Sequence, residues 1–192
     1  GVSVEPVAAL FVMARSAYHE LEGVDCWDQA RDARLWPGGC AVVAHPPCRS
    51  WSRLRHFSRP EAGESELALL AVDLVRRWGG VLEHPSGSAL WSAAGLPKPG
   101  GVRVDEFGGW SLAVSQKWWG HRAEKRTWLY VVGLRPGELP TFPLVLGEAE
   151  RTVGLFSGRD RRRCRGEISK RERIASPPEF ARWLVELARR AR

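Results

Sequence analysis

Short apolar runs alternate with polar stretches punctuated by glycine and proline along the first two thirds of this chain. Val7-Ala8-Ala9-Leu10-Phe11-Val12 is continuous and partly β-branched, the pattern of a strand buried on both faces. Residues 14–22, closed by Gly23, read as a short helix, and Val24-Asp25-Cys26-Trp27 as a second strand. Asp28 to Trp36 mixes both signs of charge and reads as a turn or short helix. Cys40-Ala41-Val42-Val43 follows Pro37-Gly38-Gly39 and reads as a third buried strand, running to Ala44. The clearest signal comes next. Leu67, Leu70, Ala71, Leu74 and Trp78 recur at helical spacing, with Glu64 and Glu66 at the start, Arg76 and Arg77 at the end and Gly79-Gly80 as the stop. Val81-Leu82-Glu83 follows as a strand, so strand, helix and strand form a βαβ unit with parallel pairing and a right-handed crossover.

Residues 95–110 are rich in glycine and proline and read as a loop. Ser111 to Ser115 predicts a short strand, and Thr127-Trp128-Leu129-Tyr130-Val131-Val132 a longer one ending at Gly133. Residues 134–175 show no clear period. Ser176-Pro177-Pro178-Glu179 has capping-box spacing with proline at the first helical position. Phe180, Trp183, Leu184 and Leu187 make the buried stripe of the helix that follows, while Arg182, Glu186, Arg189 and Arg190 are expected to face water. No repeat and no second domain interrupts the pattern. The expectation is α/β: a single Rossmann-like domain with a mostly parallel sheet flanked by helices. Its core covers about residues 7–133, and a basic segment and helix cover 134–192.

Composition narrows the class. At 192 residues and 44% apolar content the chain has enough for one buried core. No run approaches the roughly 18 consecutive apolar residues of a membrane span, and the first residues lack the pattern of a secretory signal. Cys26, Cys40, Cys48 and Cys164 are irregularly spaced, which reads as reduced thiols and a cytoplasmic setting rather than a disulfide framework. The formal charge is +7 with a pI near 9.8. Much of it lies in Arg159, Arg161, Arg162, Arg163, Arg165, Lys170, Arg171 and Arg173, so the expected partner is a polyanion, with nucleic acid such as DNA the usual one. Ten tryptophans are expected mostly in the core, with one or two near the site able to stack on a base.

The chemistry gathers at two strand ends. Ala44-His45-Pro46-Pro47-Cys48 follows the third strand, and two prolines there stop the ladder and fix the backbone around one cysteine. Glu83-His84-Pro85 breaks the strand at 81–83 in the same way. In a βαβ unit these tips lie side by side at the carboxyl edge, where open α/β sheets carry ligands. Positive charge from Arg49, Arg53 and His45 is expected to lower the Cys48 pKa, and burial to raise that of Glu83.

Three segments, in order, resemble the cytosine-5 DNA methyltransferases, in particular small and divergent phage- or prophage-type members. His45-Pro46-Pro47-Cys48-Arg49-Ser50-Trp51-Ser52 is similar to that family's Pro-Cys loop, and Val81-Leu82-Glu83-His84-Pro85 to its Glu-Asn-Val motif. Gly120-His121-Arg122-Ala123-Glu124-Lys125-Arg126, with the strand through Gly133, is similar to its Gln-x-Arg-x-Arg segment and following strand. The resemblance implies Cys48 as the nucleophile adding to C6 of a flipped pyrimidine, Glu83 as the group assisting at N3, and Lys125 and Arg126 as catalytic cations. It places His45, Pro47, Ser50, Trp51, Arg53, His84, Pro85, Gln116, His121 and Arg122 around the substrate. It implies S-adenosylmethionine as methyl donor, with Phe11, Asp25 and Asp32 as the candidates to hold it. The family's glycine-rich turn after the first strand has no counterpart, since residues 11–16 contain no glycine.

Two other readings come from the residues themselves. His45, Cys48, His84 and His121 carry imidazole and thiolate donors suited to a metal-dependent nucleic-acid enzyme. A basic, catalytically inactive DNA-binding module of the same fold would share the charge and the sheet.

Overall fold

The computed structural model describes residues 3–53, 55–101, 103–142 and 169–192. Arg159, Arg161, Arg162, Arg163, Arg165 and Cys164 therefore lie outside the described residues. Six strands form one sheet: β1 (Val7–Leu10), β2 (Val24–Trp27), β3 (Ala41–Ala44), β4 (Gly80–Pro85), β5 (Trp110–Ser115) and β6 (Arg126–Val132), in the order β2-β1-β3-β4-β6-β5. The first four pair in parallel, whereas β6 runs antiparallel to both β4 and β5. The sheet is thus mixed, where a mostly parallel one was expected. The reason is the link: residues 116–125 are too few for the crossover that a parallel pairing of β5 with β6 demands.

Alternation along each strand feeds two cores. Val7, Ala9, Val43, Val81, Leu129 and Val131 point to one face and meet α4 (Pro178–Arg190) through Phe180, Leu184 and Leu187. Ala8, Leu10, Val42, Ala44, Leu82 and Tyr130 point to the other and meet α1 (Glu64–Trp78) and α2 (Leu90–Ala93). Helices on both faces of the sheet make this an α/β protein. Full burial of Phe180, Leu184 and Leu187 stabilises the α4 side by about 2 kcal/mol each.

Several expected elements differ in detail. The helix expected over 14–22 is only a 3-10 turn, Ala17–Glu20, because Tyr18 alone among those residues is buried and one anchor does not offset helix nucleation. The buried stripe of α1 is Ala68, Ala71, Val72 and Val75, with Leu67, Leu70, Leu74 and Trp78 half-buried at its flanks. Small residues face the sheet, so the larger ones pack at the margin. The capping box expected at Ser176 does not form: the N-cap is Pro177, which has no side-chain acceptor, and Pro178 opens the helix. A capping box does form at Ser169, whose hydroxyl accepts from the Glu172 N–H at the start of α3 (Lys170–Ile174). Arg189 does not simply face water, since its guanidinium reaches Glu186 and the carbonyls of Glu5 and Glu22.

Candidate functional site

The chain leaves β1 toward β2 on one side and returns to β3 on the other, so the carboxyl ends of β1 and β3 flank a topological switch point. A cavity of about 790 Å³ opens there. Its walls come from the loop after β1 (Phe11 to Tyr18), residues 45–48, 52 and 53 after β3, residues 83–86 at the end of β4, residues 124–126 at the start of β6, and residues 173–176 at the end of α3 and just beyond it. The volume suits a small organic ligand.

The geometry at the β4 tip is set by His45. Its Nδ1 lies 2.8 Å from Glu83 Oε2, and its Nε2 lies 2.6 Å from the Tyr18 hydroxyl. An ionised carboxylate only accepts, so Nδ1–H donates to Glu83, while Nε2 accepts from the Tyr18 hydroxyl in the neutral ring and donates to its oxygen in the charged one. Behind Glu83, the buried Gln116 donates from Nε2 to Glu83 Oε1 at 3.2 Å and to Thr127 Oγ1 at 3.0 Å. Burial pushes the Glu83 carboxyl up, but the hydrogen bond and charge of His45, together with Lys125 and His84, outweigh it and hold the carboxyl down to about 2. The raised value expected from burial alone is therefore corrected: Glu83 rests as a carboxylate. Burial and the Glu83 charge push the Tyr18 phenol up.

Cys48 is corrected in the opposite direction. Burial and the negative charge of Glu83 raise its pKa, with Lys125 the main opposing charge. Arg49 supplies no such help, because it turns to helix α1 and donates from Nε and Nη2 to Glu64 Oε1 at 3.1 and 2.7 Å. Lys125 is itself lowered, by burial first, with Glu83 and Cys48 pulling it back up. The thiol, carboxylate and ammonium thus act on one another across one cavity.

His84 is a staple. It is 1% exposed; its Nε2–H donates to the Pro46 carbonyl at 3.1 Å and its Nδ1 meets Ser88 Oγ at 2.8 Å. Burial lowers its pKa, with the Glu83 charge opposing. A neutral ring therefore ties the tip of β4 to the Pro-Pro loop that carries Cys48.

Of the residues singled out from sequence, Phe11, His45, Pro47, Cys48, Arg53, Glu83, His84, Pro85, Lys125 and Arg126 line the cavity. Arg126 is nevertheless 73% exposed, and among the described residues its side chain pairs with Glu124, at 4.0 Å. Ser50, Trp51, Gln116, His121 and Arg122 do not line it. Trp51 donates to the Ser65 carbonyl, His121 bonds Ala123 and Glu172, and Arg122 pairs with Glu172. No tryptophan stands in the cavity wall. Asp25 and Asp32 are turned to Arg31 and Arg34 at 2.6 and 2.7 Å, away from the cavity. Phe11 adopts φ 58 at the end of β1, making without glycine a left-handed turn that costs a larger side chain strain. Tyr18, Ser16 and Arg173 enter the wall without a motif to announce them, and Tyr18 alone had a signal, as the one large ring in a polar stretch.

Among the described residues no group of three or more His, Cys, Asp or Glu side chains converges to hold a metal ion, since His45, His84 and His121 are each engaged by other protein groups. Cys26, Cys40 and Cys48 are free thiols. No helix of the described residues is long and apolar enough to cross a membrane. No protein-family model and no curated protein matches this chain.

Proposed function

We propose that this protein modifies a pyrimidine base, cytosine in DNA being the leading substrate, through addition of the Cys48 thiolate to C6. The observation that carries the reading is the convergence of Cys48, Glu83 and Lys125 from three separate strand ends on one cavity, each shifting the protonation of the others. The four parallel strands, the switch point and helices on both faces support a Rossmann-like, methyltransferase-like frame.

Attack on C6 needs a thiolate, and the enamine that results is favoured when N3 receives a proton. The resting site holds the opposite distribution, a protonated thiol and an ionised carboxylate. Productive and resting states therefore differ by the place of one proton: it leaves Cys48, and Glu83 delivers one to N3. Lys125, close to both groups, stabilises the thiolate as it forms. The Tyr18–His45 pair holds the Glu83 carboxyl toward the base. A base in a duplex has to leave the stack to arrive here, at a cost of a few kcal/mol.

Addition at C6 makes C5 nucleophilic, ready for a one-carbon electrophile. The resemblance to cytosine-5 methyltransferases implies S-adenosylmethionine for that role. The carboxylates read from sequence as its holders, Asp25 and Asp32, are engaged by arginines outside the cavity. They do not fit that task.

The base half of the reaction is tested without any donor. Reversible thiolate addition lets C5 take a solvent proton and lose its own before the thiolate departs, so tritium at C5 washes into water. Tritium release from a single-stranded, [5-³H]cytosine-labelled oligonucleotide is expected with the wild-type protein. It is expected to vanish in Cys48→Ala and to slow at least about a hundredfold in Glu83→Gln. Release that persists in Cys48→Ala, or none from the wild type, refutes the reading.

A further inference from the structure

Part of the cavity wall takes no part in the chemistry above. Ser16 lines it from the loop after β1 with its Oγ buried and unpartnered, and Arg173 lines it from α3 with its Nε in the same state. A hydroxyl and a guanidinium N–H both donate, and buried donors without acceptors in the wall of one cavity are what a bound anion satisfies. Arg15 and Arg53 line the cavity as well, and neither makes an ion pair or side-chain hydrogen bond among the described residues. Several arginines outside the cavity are paired instead: Arg31 with Asp25, Arg34 with Asp32, Arg49 with Glu64 and Arg182 with Glu179.

Resting on the reading of Cys48 as a base-reactive thiol, we infer that Arg15, Ser16 and Arg173 form a phosphate subsite, so that the substrate is a pyrimidine nucleotide rather than a free base or nucleoside. Guanidinium groups take phosphate oxygens through charge-assisted and often bidentate bonds, and a hydroxyl adds a further donor. The α3 segment that brings Arg173 is fastened to the third motif. Arg122 pairs with Glu172 at 2.8 Å, His121 Nε2 donates to the Glu172 carbonyl at 3.0 Å, and Lys125 Nζ donates to the Ala175 carbonyl at 3.4 Å. His121 and Arg122, read from sequence as substrate contacts, instead anchor the element that carries the phosphate contact. A free nucleotide and a nucleic-acid strand present the same oxygens, and the test separates them.

Calorimetric titration of the whole chain with deoxycytidine, with deoxycytidine 5′-monophosphate and with a five-nucleotide single strand containing one cytosine decides the matter. The wild type is expected to bind the monophosphate at least about tenfold tighter than the nucleoside. Arg173→Ala and the exposed Arg15→Ala are each expected to remove that preference and leave nucleoside affinity unchanged, with Ser16→Ala giving a smaller loss. A strand that binds tighter than the monophosphate assigns the subsite to a strand phosphate, and equal binding assigns it to a free nucleotide; both uphold it. Equal binding of nucleoside and monophosphate, no binding of either, or a preference that survives both arginine substitutions overturns it. Tritium exchange on the same proteins separates the two claims. A phosphate preference without exchange keeps the subsite and discards the thiol chemistry, and exchange without the preference does the reverse.

Discussion

His45 decides the charge of Glu83, and acid stability measures it. A glutamate ordinarily titrates near 4.5, whereas Glu83 is held down to about 2. Its ionised form therefore favours the folded state by about 3 kcal/mol in full. That contribution is complete above the unfolded value and drains away as pH falls through the folded one, so about 2 kcal/mol of it is lost between pH 5 and pH 3. Other carboxylates held low, such as Asp25 and Glu172, lose stability in the same window, so the comparison is with Glu83→Gln, which retains them. Urea unfolding followed by tryptophan fluorescence should show the wild type losing about 2 kcal/mol more than Glu83→Gln from pH 5 to pH 3. His45→Ala removes the hydrogen bond and charge and leaves burial, the largest single influence, to push the carboxyl up. Its stability is then expected to fall less steeply with acid than that of the wild type. Parallel curves for the wild type and Glu83→Gln would refute the reasoning.

Two further outcomes test the frame. Alkylation of Cys48 by iodoacetamide, read by peptide mass spectrometry, is expected to be slow at neutral pH and to accelerate in Glu83→Gln, which removes a charge that raises the thiol. Lys125→Ala should slow it further, while Cys26, pushed up to about 11, stays sluggish in all three proteins. Gly80→Ala is expected to cost at least about 3 kcal/mol in urea unfolding, because its Cβ would stand 1.9 Å from the Val42 carbonyl oxygen at φ +118.

The buried strands were legible because continuous β-branched runs such as Val42-Val43 and Tyr130-Val131-Val132 have few alternatives to a sheet interior. Helix α1 was legible from its charged ends and glycine stop, although its buried stripe lies toward Ala68 and Val75 because close approach to the sheet selects small side chains. The adjacency of the Cys48 and Glu83 tips followed from βαβ logic. Their protonation did not. Sequence neighbours of Cys48 promised positive charge, yet Arg49 is drawn to Glu64, fifteen residues on, and the positive charge that chiefly acts on the thiol belongs to Lys125. Burial of Glu83 was foreseeable, while the overriding bond from His45 depends on a ring orientation that spacing does not encode. Arg173 was silent for a related reason, since it joins the site through tertiary folding across many residues, and Tyr18 announced burial but not its partner.

Strand β6 enters the sheet head-first where its parallel neighbours finish, with Thr127 opposite Pro85. Its incoming end therefore presents Lys125 beside two outgoing ends. Parallel connectivity alone supplies that rim only with chain that has just finished a strand. Reversing one strand lets a hairpin of adjustable length deliver a cation to the same rim, so the lysine's reach can be retuned by the hairpin while the register that positions thiol and carboxylate stays untouched.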